Sequence, residues 1–245
     1  RELRQVFRST LKSASIAAAD LTAERYIRFM ETVFNHSPKA VWKQGALGEY
    51  DSGLLICNQI LDADNAVDVT ASGLRLGEHA HVRVVSPKRF PDKLWPGTGF
   101  RYIADLMRGS KALRDPAIIT VNIIYPDQDK RRSEISRSFA WATQQSAGKL
   151  ARFIPDIFKQ KESAELALQE IDKGNRILYA YIGAAVISQT EDRAIQASTD
   201  LQSMFREIGF AMVEDRYFIM PLFSQLLPFG ASEDMRIALS RYRTL

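Results

Sequence analysis

Apolar residues Leu3, Phe7, Leu11, Ala14 and Ala18 recur at helical spacing, and Arg4, Arg8 and Lys12 run beside them as a basic stripe. A second helix is better punctuated. Thr22 is placed to cap its N-terminus, and Leu21 before it can staple onto Tyr26. Ile27, Met30, Val33 and Phe34 continue the apolar face, and Asn35 followed by Ser37-Pro38 stops it.

From Tyr50 the period becomes that of strands. Two apolar runs, Leu54 to Leu61 and Val67 to Leu76, flank the turn-forming Asp62-Ala63-Asp64-Asn65. A third run, His79 to Ser86, sets His79, His81, Arg83 and Val85 against Ala80, Val82 and Val84, and Pro87 is expected to end it. Pro91 to Gly99 reads as a shaped loop. Thr98 then caps a short helix carrying Phe100, Ile103, Leu106 and Met107. A β-branched strand follows from Ala117 to Tyr125.

The region Lys130 to Asp172 is helical, with Ile135, Phe139, Leu150, Ile154, Ile157 and Phe158 inward and Pro155 as a kink or break. Lys173-Gly174-Asn175 closes it. Next come a strand from Arg176 to Ser188, a helix from Glu191 to Ile208 and, after Gly209, a strand from Phe210 to Val213. The helix has a clean stripe of Ala194, Ala197, Leu201, Met204, Phe205 and Ile208. The last elements are a helix from Tyr217 to Leu227, broken by Pro228, and another begun at Ser232.

This succession predicts an α+β fold. It is a ferredoxin-like, split-βαβ open sheet with a long helical insertion, preceded by a small β module and an N-terminal helical pair. The expected organisation is a helical segment over 1–45, the β module over 46–78 and the sheet domain over 79–230. Residues 231–245 then start a linker.

Composition narrows the function classes. Of 245 residues, 46% are hydrophobic and 25% charged, which excludes collagenous and wholly disordered chains. The uncharged, mainly apolar stretch Ile177 to Gln189 falls short of the roughly 20 residues a spanning helix needs. A net charge of +4, spread along the chain, gives little support to nucleic-acid binding. The single cysteine, Cys57, excludes an intramolecular disulfide or a multi-cysteine zinc site and fits a reducing compartment. Opening at Arg1 without a secretory leader, the chain reads as a piece of something longer.

Candidate chemistry is sparse. A phosphate-binding loop needs G-x-x-x-x-G-K-[ST]; Gly148-Lys149 has Thr143 and Leu150 where the first glycine and the Mg²⁺-binding hydroxyl belong. Glu78, His79 and His81 could share a strand face and chelate a metal, but no third ligand is identifiable, so surface or core histidines are the preferred reading. His36 has no evident partner. Cys57, inside an apolar run, reads as a buried structural thiol. Asp62, Asp64 and Asp68 lack the glycine and distal glutamate of a calcium loop and read as a solvated turn. Tyr179 and Tyr181 read as sheet-packing residues. No catalytic, cofactor-binding or metal-ligating residue is assigned. The remaining candidate is an interaction surface of Arg4, Phe7, Arg8, Leu11 and Lys12, whose basic, apolar-backed face suits an anionic bilayer or an acidic partner; a merely solvated helix face is the alternative.

Three stretches carry a family resemblance. They are Val84-Val-Ser-Pro-Lys-Arg-Phe-Pro91, Ile119-Thr-Val-Asn-Ile-Ile-Tyr-Pro-Asp-Gln128 and Tyr217-Phe-Ile-Met-Pro-Leu-Phe-Ser-Gln-Leu-Leu-Pro-Phe-Gly-Ala231. From Tyr50 onward the chain resembles the N-terminal region of the TraC family of F-type conjugation ATPases, counterparts of the largest VirB-family ATPases of type IV secretion. Ser240-Arg-Tyr-Arg-Thr244 resembles the lead into the motor domain there. The resemblance implies that ATP and Mg²⁺ belong to a RecA-like motor of the full-length protein and that this region holds no cofactor. It further implies attachment to inner-membrane subunits of a type IV secretion system, self-association of the full-length protein, and a peripheral place on the cytoplasmic face of the bacterial inner membrane. The competing classes are an independent ferredoxin-like nucleic-acid-binding domain and a metal-dependent small-molecule enzyme built on Glu78, His79 and His81.

Overall fold

The computed structural model describes residues 2–15, 17, 19–45, 50–91, 113–147 and 156–231. The expected helices after Thr98 and Ser232, together with Leu150, Ile154 and Pro155, lie outside the described residues. The chain forms two compact units, one of residues 1–118 with 184–226 and one of 119–183 with 227–245.

The first unit opens with helices α1 (Glu2–Ser13) and α2 (Ala23–Phe34). Thr22 caps α2 as expected, its hydroxyl accepting from Arg25 N, and Ile27, Met30, Val33 and Phe34 are buried. Strands β1 (Val67–Val69), β2 (Leu74–Leu76) and β3 (Ala80–Arg89) form an antiparallel meander. The sequence run Val67 to Leu76 is therefore two strands around the turn 70–73.

Further on lie β4 (Ala117–Ile124), β5 (Tyr179–Ser188) and β6 (Ala211–Glu214). The sheet order is β1-β2-β3-β5-β4, with β6 also on β3. Strand β2 takes the start of β3 through Leu74↔Val82, and β6 takes its end through Val85↔Glu214. The succession β6-β3-β5-β4 is the strand order of a split βαβ fold, so the expected α+β open sheet is present. Helix α5 (Glu191–Glu207) packs on β3 and β6, burying Ala194, Ala197, Leu201, Met204 and Phe205.

Two expectations for this unit are corrected. Pro87 does not end β3; it lies opposite Met212, where the register with β6 shifts between Pro87 and Arg89. A residue without an N–H is tolerated in a strand at such an irregularity. The helix expected from Tyr217 to Leu227 shrinks to α6, Ile219–Ser224. Tyr217 sits at φ 68° and its N–H donates to Ala71 O at 2.8 Å, which holds the chain out of helix until Ile219. Leu222, Phe223 and Leu226 are buried, whereas Phe218 is exposed.

In the second unit, α3 (Gln128–Ser146) and α4 (Asp156–Asp172) form the helical insertion and pack side by side. Asp127 caps α3 by accepting from Lys130 N at 3.0 Å. Ile135 and Ala142 are buried on one helix, Ile157 and Ala164 on the other. That seam is narrow, so Phe158, one position round the helix from Ile157, is exposed rather than inward, and Phe139 is half-buried. Gly174, at φ 89°, ends α4, with Asn175 N donating to Glu170 O at 3.0 Å. The Gln128 side chain pins the entry to β5, giving a hydrogen bond to Ile177 O at 3.1 Å and accepting one from Ile177 N at 2.9 Å.

Candidate interaction surface

The residues singled out on α1 occupy one helix with little cover. Phe7 is 67% exposed and Val6 beside it 60%, while Leu11 is half-buried. Arg4 and Arg8 both reach the same oxygen of Asp20, Arg4 at 2.6 Å. The chain doubles back at Ser15, φ 57°, which brings Asp20 to the basic stripe. One carboxylate thus answers two guanidiniums, and the exposed Lys12 in the last turn adds a further cation. An open groove of about 690 Å³ lies between Leu11, Lys12 and Asp20. Exposed ion pairs of this kind contribute little to stability and are easily exchanged for other partners.

A second surface escaped the sequence reading. Leu54 to Leu61 is not a strand: it holds a 3₁₀ turn over Ile56–Asn58, and Leu54, Leu55 and Ile56 are exposed, Leu55 to 69%. The physical reason is Gln59. Its amide nitrogen donates to Asp51 O at 2.9 Å and Leu54 O at 3.0 Å, while its carbonyl oxygen accepts from Asp51 N at 2.9 Å. One side chain thereby satisfies backbone groups that would otherwise seek a neighbouring strand. Cys57 is accordingly exposed, not a buried thiol.

The base of this loop is tied to α2. Asn35, buried at the helix end, donates to Ile60 O at 3.0 Å and accepts from Asp62 N at 3.1 Å and from the Asn65 amide at 2.8 Å. Close by lies Glu31, only 6% exposed, one of whose carboxylate oxygens is buried without a hydrogen-bond partner. Burial pushes its pKa up, and the charge of Asp62 pushes the same way against the pull of Arg28. Asp62 is itself raised by burial and by Asp64. The acidic turn is therefore an under-compensated patch beside an apolar tip. Composition alone carries no sign of either the Gln59 clasp or the burial of Glu31.

The other candidates separate. His79 is exposed in the turn before β3 and His81 half-buried on it; among the described residues no group of three His, Cys, Asp or Glu side chains could hold a metal ion. Asp68 pairs with Arg75 at 2.5 Å. His36 donates from Nε2 to Val33 O, 2.9 Å away, and burial lowers its pKa. Tyr179 is half-buried with the Arg131 guanidinium 5.2 Å from its ring centre, which uses its face. The sequence pattern also missed Arg83, nearly buried on β3, which donates to Ser72 O and Glu214 at 3.0 Å and to Glu191 at 2.8 Å. Among the described residues no helix is long and apolar enough to cross a membrane.

Taken together, the fold and its surfaces define an α+β protein with an exposed amphipathic helix and an exposed apolar loop tip. The family described as "TraC protein" matches residues 1–231, and the chain belongs to the TraC family of F-type conjugation proteins. Protein TraC of Escherichia coli (strain K12) is 24% identical over 241 residues, covering 95% of this chain and 27% of its own length. The chain thus spans about a quarter of the length of that curated relative.

Proposed function

We propose that this region is the docking and assembly domain of a conjugative-transfer ATPase of the type IV secretion class. It attaches a RecA-like motor elsewhere in the full-length protein to inner-membrane subunits, peripheral to the cytoplasmic face. ATP and Mg²⁺ serve that motor, and this region neither binds nor hydrolyses nucleotide. The observation that carries the reading is the exposure of Val6 and Phe7 on a helix flanked by Arg4, Arg8 and Lys12. An apolar ridge left open to water costs free energy that a partner surface recovers. The family and the 27% share of the relative's length support a region that works as part of a larger protein.

The test reverses Arg4, Arg8 and Lys12 to Glu in the full-length protein. Loss of co-purification with the inner-membrane complex and of conjugation is expected. Full retention of both removes this helix from the docking surface.

A further inference from the structure

Two exposed surfaces of this chain are complementary to each other, and neither is covered within it among the described residues. Helix α1 presents Val6, Phe7 and Leu11 with Arg4, Arg8 and Lys12 beside them, and Asp20 is the carboxylate that pairs with its arginines. The loop 51–59 presents Leu54, Leu55 and Ile56 in an uncharged run. Its flanks in sequence are Asp51 on one side and Asp62 and Asp64 on the other, and the charge of Asp62 is felt by the buried Glu31, one of whose carboxylate oxygens has no hydrogen-bond partner.

We propose that α1 of one copy of this chain docks on the loop tip of a second copy, its apolar ridge against Leu54, Leu55 and Ile56 and its basic stripe against Asp62 and Asp64. This rests on the docking reading above and names one partner for it. Charge selects the occupant. An anionic bilayer would suit α1 but would be repelled by the acidic flanks of the tip, and a bilayer leaves the tip itself unexplained. A second copy answers both surfaces at once, apolar to apolar and basic to acidic. The Gln59 clasp fixes the tip before contact, which lowers the ordering cost of association.

Because each copy carries one of each surface, the contact is heterologous. It builds a ring or an open chain rather than a two-fold dimer.

The single cysteine provides the probe, since Cys57 is exposed at the tip. In the 245-residue chain carrying Thr10→Cys, an exposed polar position beside the ridge, a homobifunctional maleimide is expected to link residue 10 of one copy to Cys57 of the next, giving a ladder of dimers, trimers and higher species. Adding Cys57→Ser should abolish the ladder. Lys12→Glu with Arg8→Glu should weaken it, and Asp62→Lys with Asp64→Lys in the same chain should restore it. Leu55→Asp should raise the self-association Kd roughly tenfold or more by sedimentation.

Dimers that persist with Cys57→Ser, or a chain that stays monomeric, overturn the proposal. So does α1-dependent flotation with phosphatidylserine vesicles without any ladder. The two readings fail separately. Self-association lost in Leu55→Asp while the α1 charge reversal leaves co-purification intact removes only attachment to the membrane complex; the reverse outcome removes only the contact between copies.

Discussion

The ring of Phe34, at the end of α2, meets the ring of Phe223, in α6, edge to face with centroids 5.9 Å apart. These residues stand 189 positions apart in sequence, so this contact ties the N-terminal helical pair to the C-terminal end of the first unit. Phe223 is fully buried and Phe34 nearly so.

Phe223→Ala is therefore expected to destabilise the chain by about 3–5 kcal/mol, the usual cost of deleting a buried aromatic ring. Urea unfolding gives the number. A cycle with Phe34→Leu should show coupling of about 0.5–1.5 kcal/mol, the worth of an edge-to-face pair beyond its burial. An unchanged midpoint would place Phe223 at the surface.

The fold was readable wherever local pattern and long-range packing agree. The stripe of α5 names most of its buried face, because Ala194, Ala197, Leu201, Met204 and Phe205 all meet one partner, the sheet; Ile208 falls just past the helix and is half-buried, and the stripe missed the buried Ser198. The same reasoning failed at Leu54 to Leu61, where apolar composition pointed to a strand but Gln59 closes the loop on itself and exposes the apolar side chains. A side-chain amide that replaces a strand partner leaves no periodic trace. Within the candidate surface, α1 was legible from its stripe. The acidic side was not, since the burial of Glu31 depends on Asn35 holding the 60–65 turn against α2.

Gly73 is required for space. A Cβ there would sit 2.3 Å from Val82 O on the neighbouring strand, and that backbone cannot yield without disturbing the meander. The turn is otherwise set by Thr70, whose N–H donates to Gly73 O at 2.9 Å and whose hydroxyl accepts from Gly73 N at 3.0 Å. Gly73→Ala should cost about 1–3 kcal/mol, in the range of an overpacked core site. Thermal unfolding of the variant should show a lowered midpoint; an unaltered one would mean that β2 and β3 part freely at this position.

Arg83 holds together three parts of the chain far apart in sequence. Its guanidinium gives hydrogen bonds to Ser72 O and Glu214 at 3.0 Å and to Glu191 at 2.8 Å, and Ser198 donates to the other oxygen of Glu214 at 2.9 Å. Arg83→Ala leaves Glu214 without its cation and Ser72 O without its donor. The expected loss is about 1.5–3 kcal/mol, the usual worth of hydrogen bonds to charged groups, because Glu191 is open to solvent and Glu214 keeps some exposure. Arg83→Lys should recover little of it, because one ammonium cannot reproduce a planar fork reaching three acceptors. Guanidinium-chloride unfolding of both variants decides; a Lys variant of full stability would reduce the role of Arg83 to its charge.

Glu31 gives the pH signature of the acidic turn. Burial, then the charge of Asp62, raise its folded pKa above the ordinary 4.5, with Arg28 opposing. A carboxyl raised on folding holds its proton more tightly in the native state, so between the unfolded and folded values the native state binds more protons. Stability therefore falls as pH rises through that window, and the loss is complete above the folded value, where the buried carboxylate is charged and one oxygen lacks a hydrogen-bond partner. Glu31→Gln carries no charge at any pH. It is expected to raise the unfolding midpoint near neutrality and to flatten the fall of stability that the parent chain shows as pH rises above the ordinary carboxylate value. Asp62 is shifted in the same direction, by burial and by Asp64, so part of the slope should survive in Glu31→Gln and disappear only when Asp62→Asn is added. A Gln variant that is less stable than the parent at every pH would show that the carboxylate is compensated in the folded chain and that the patch is not short of a cation.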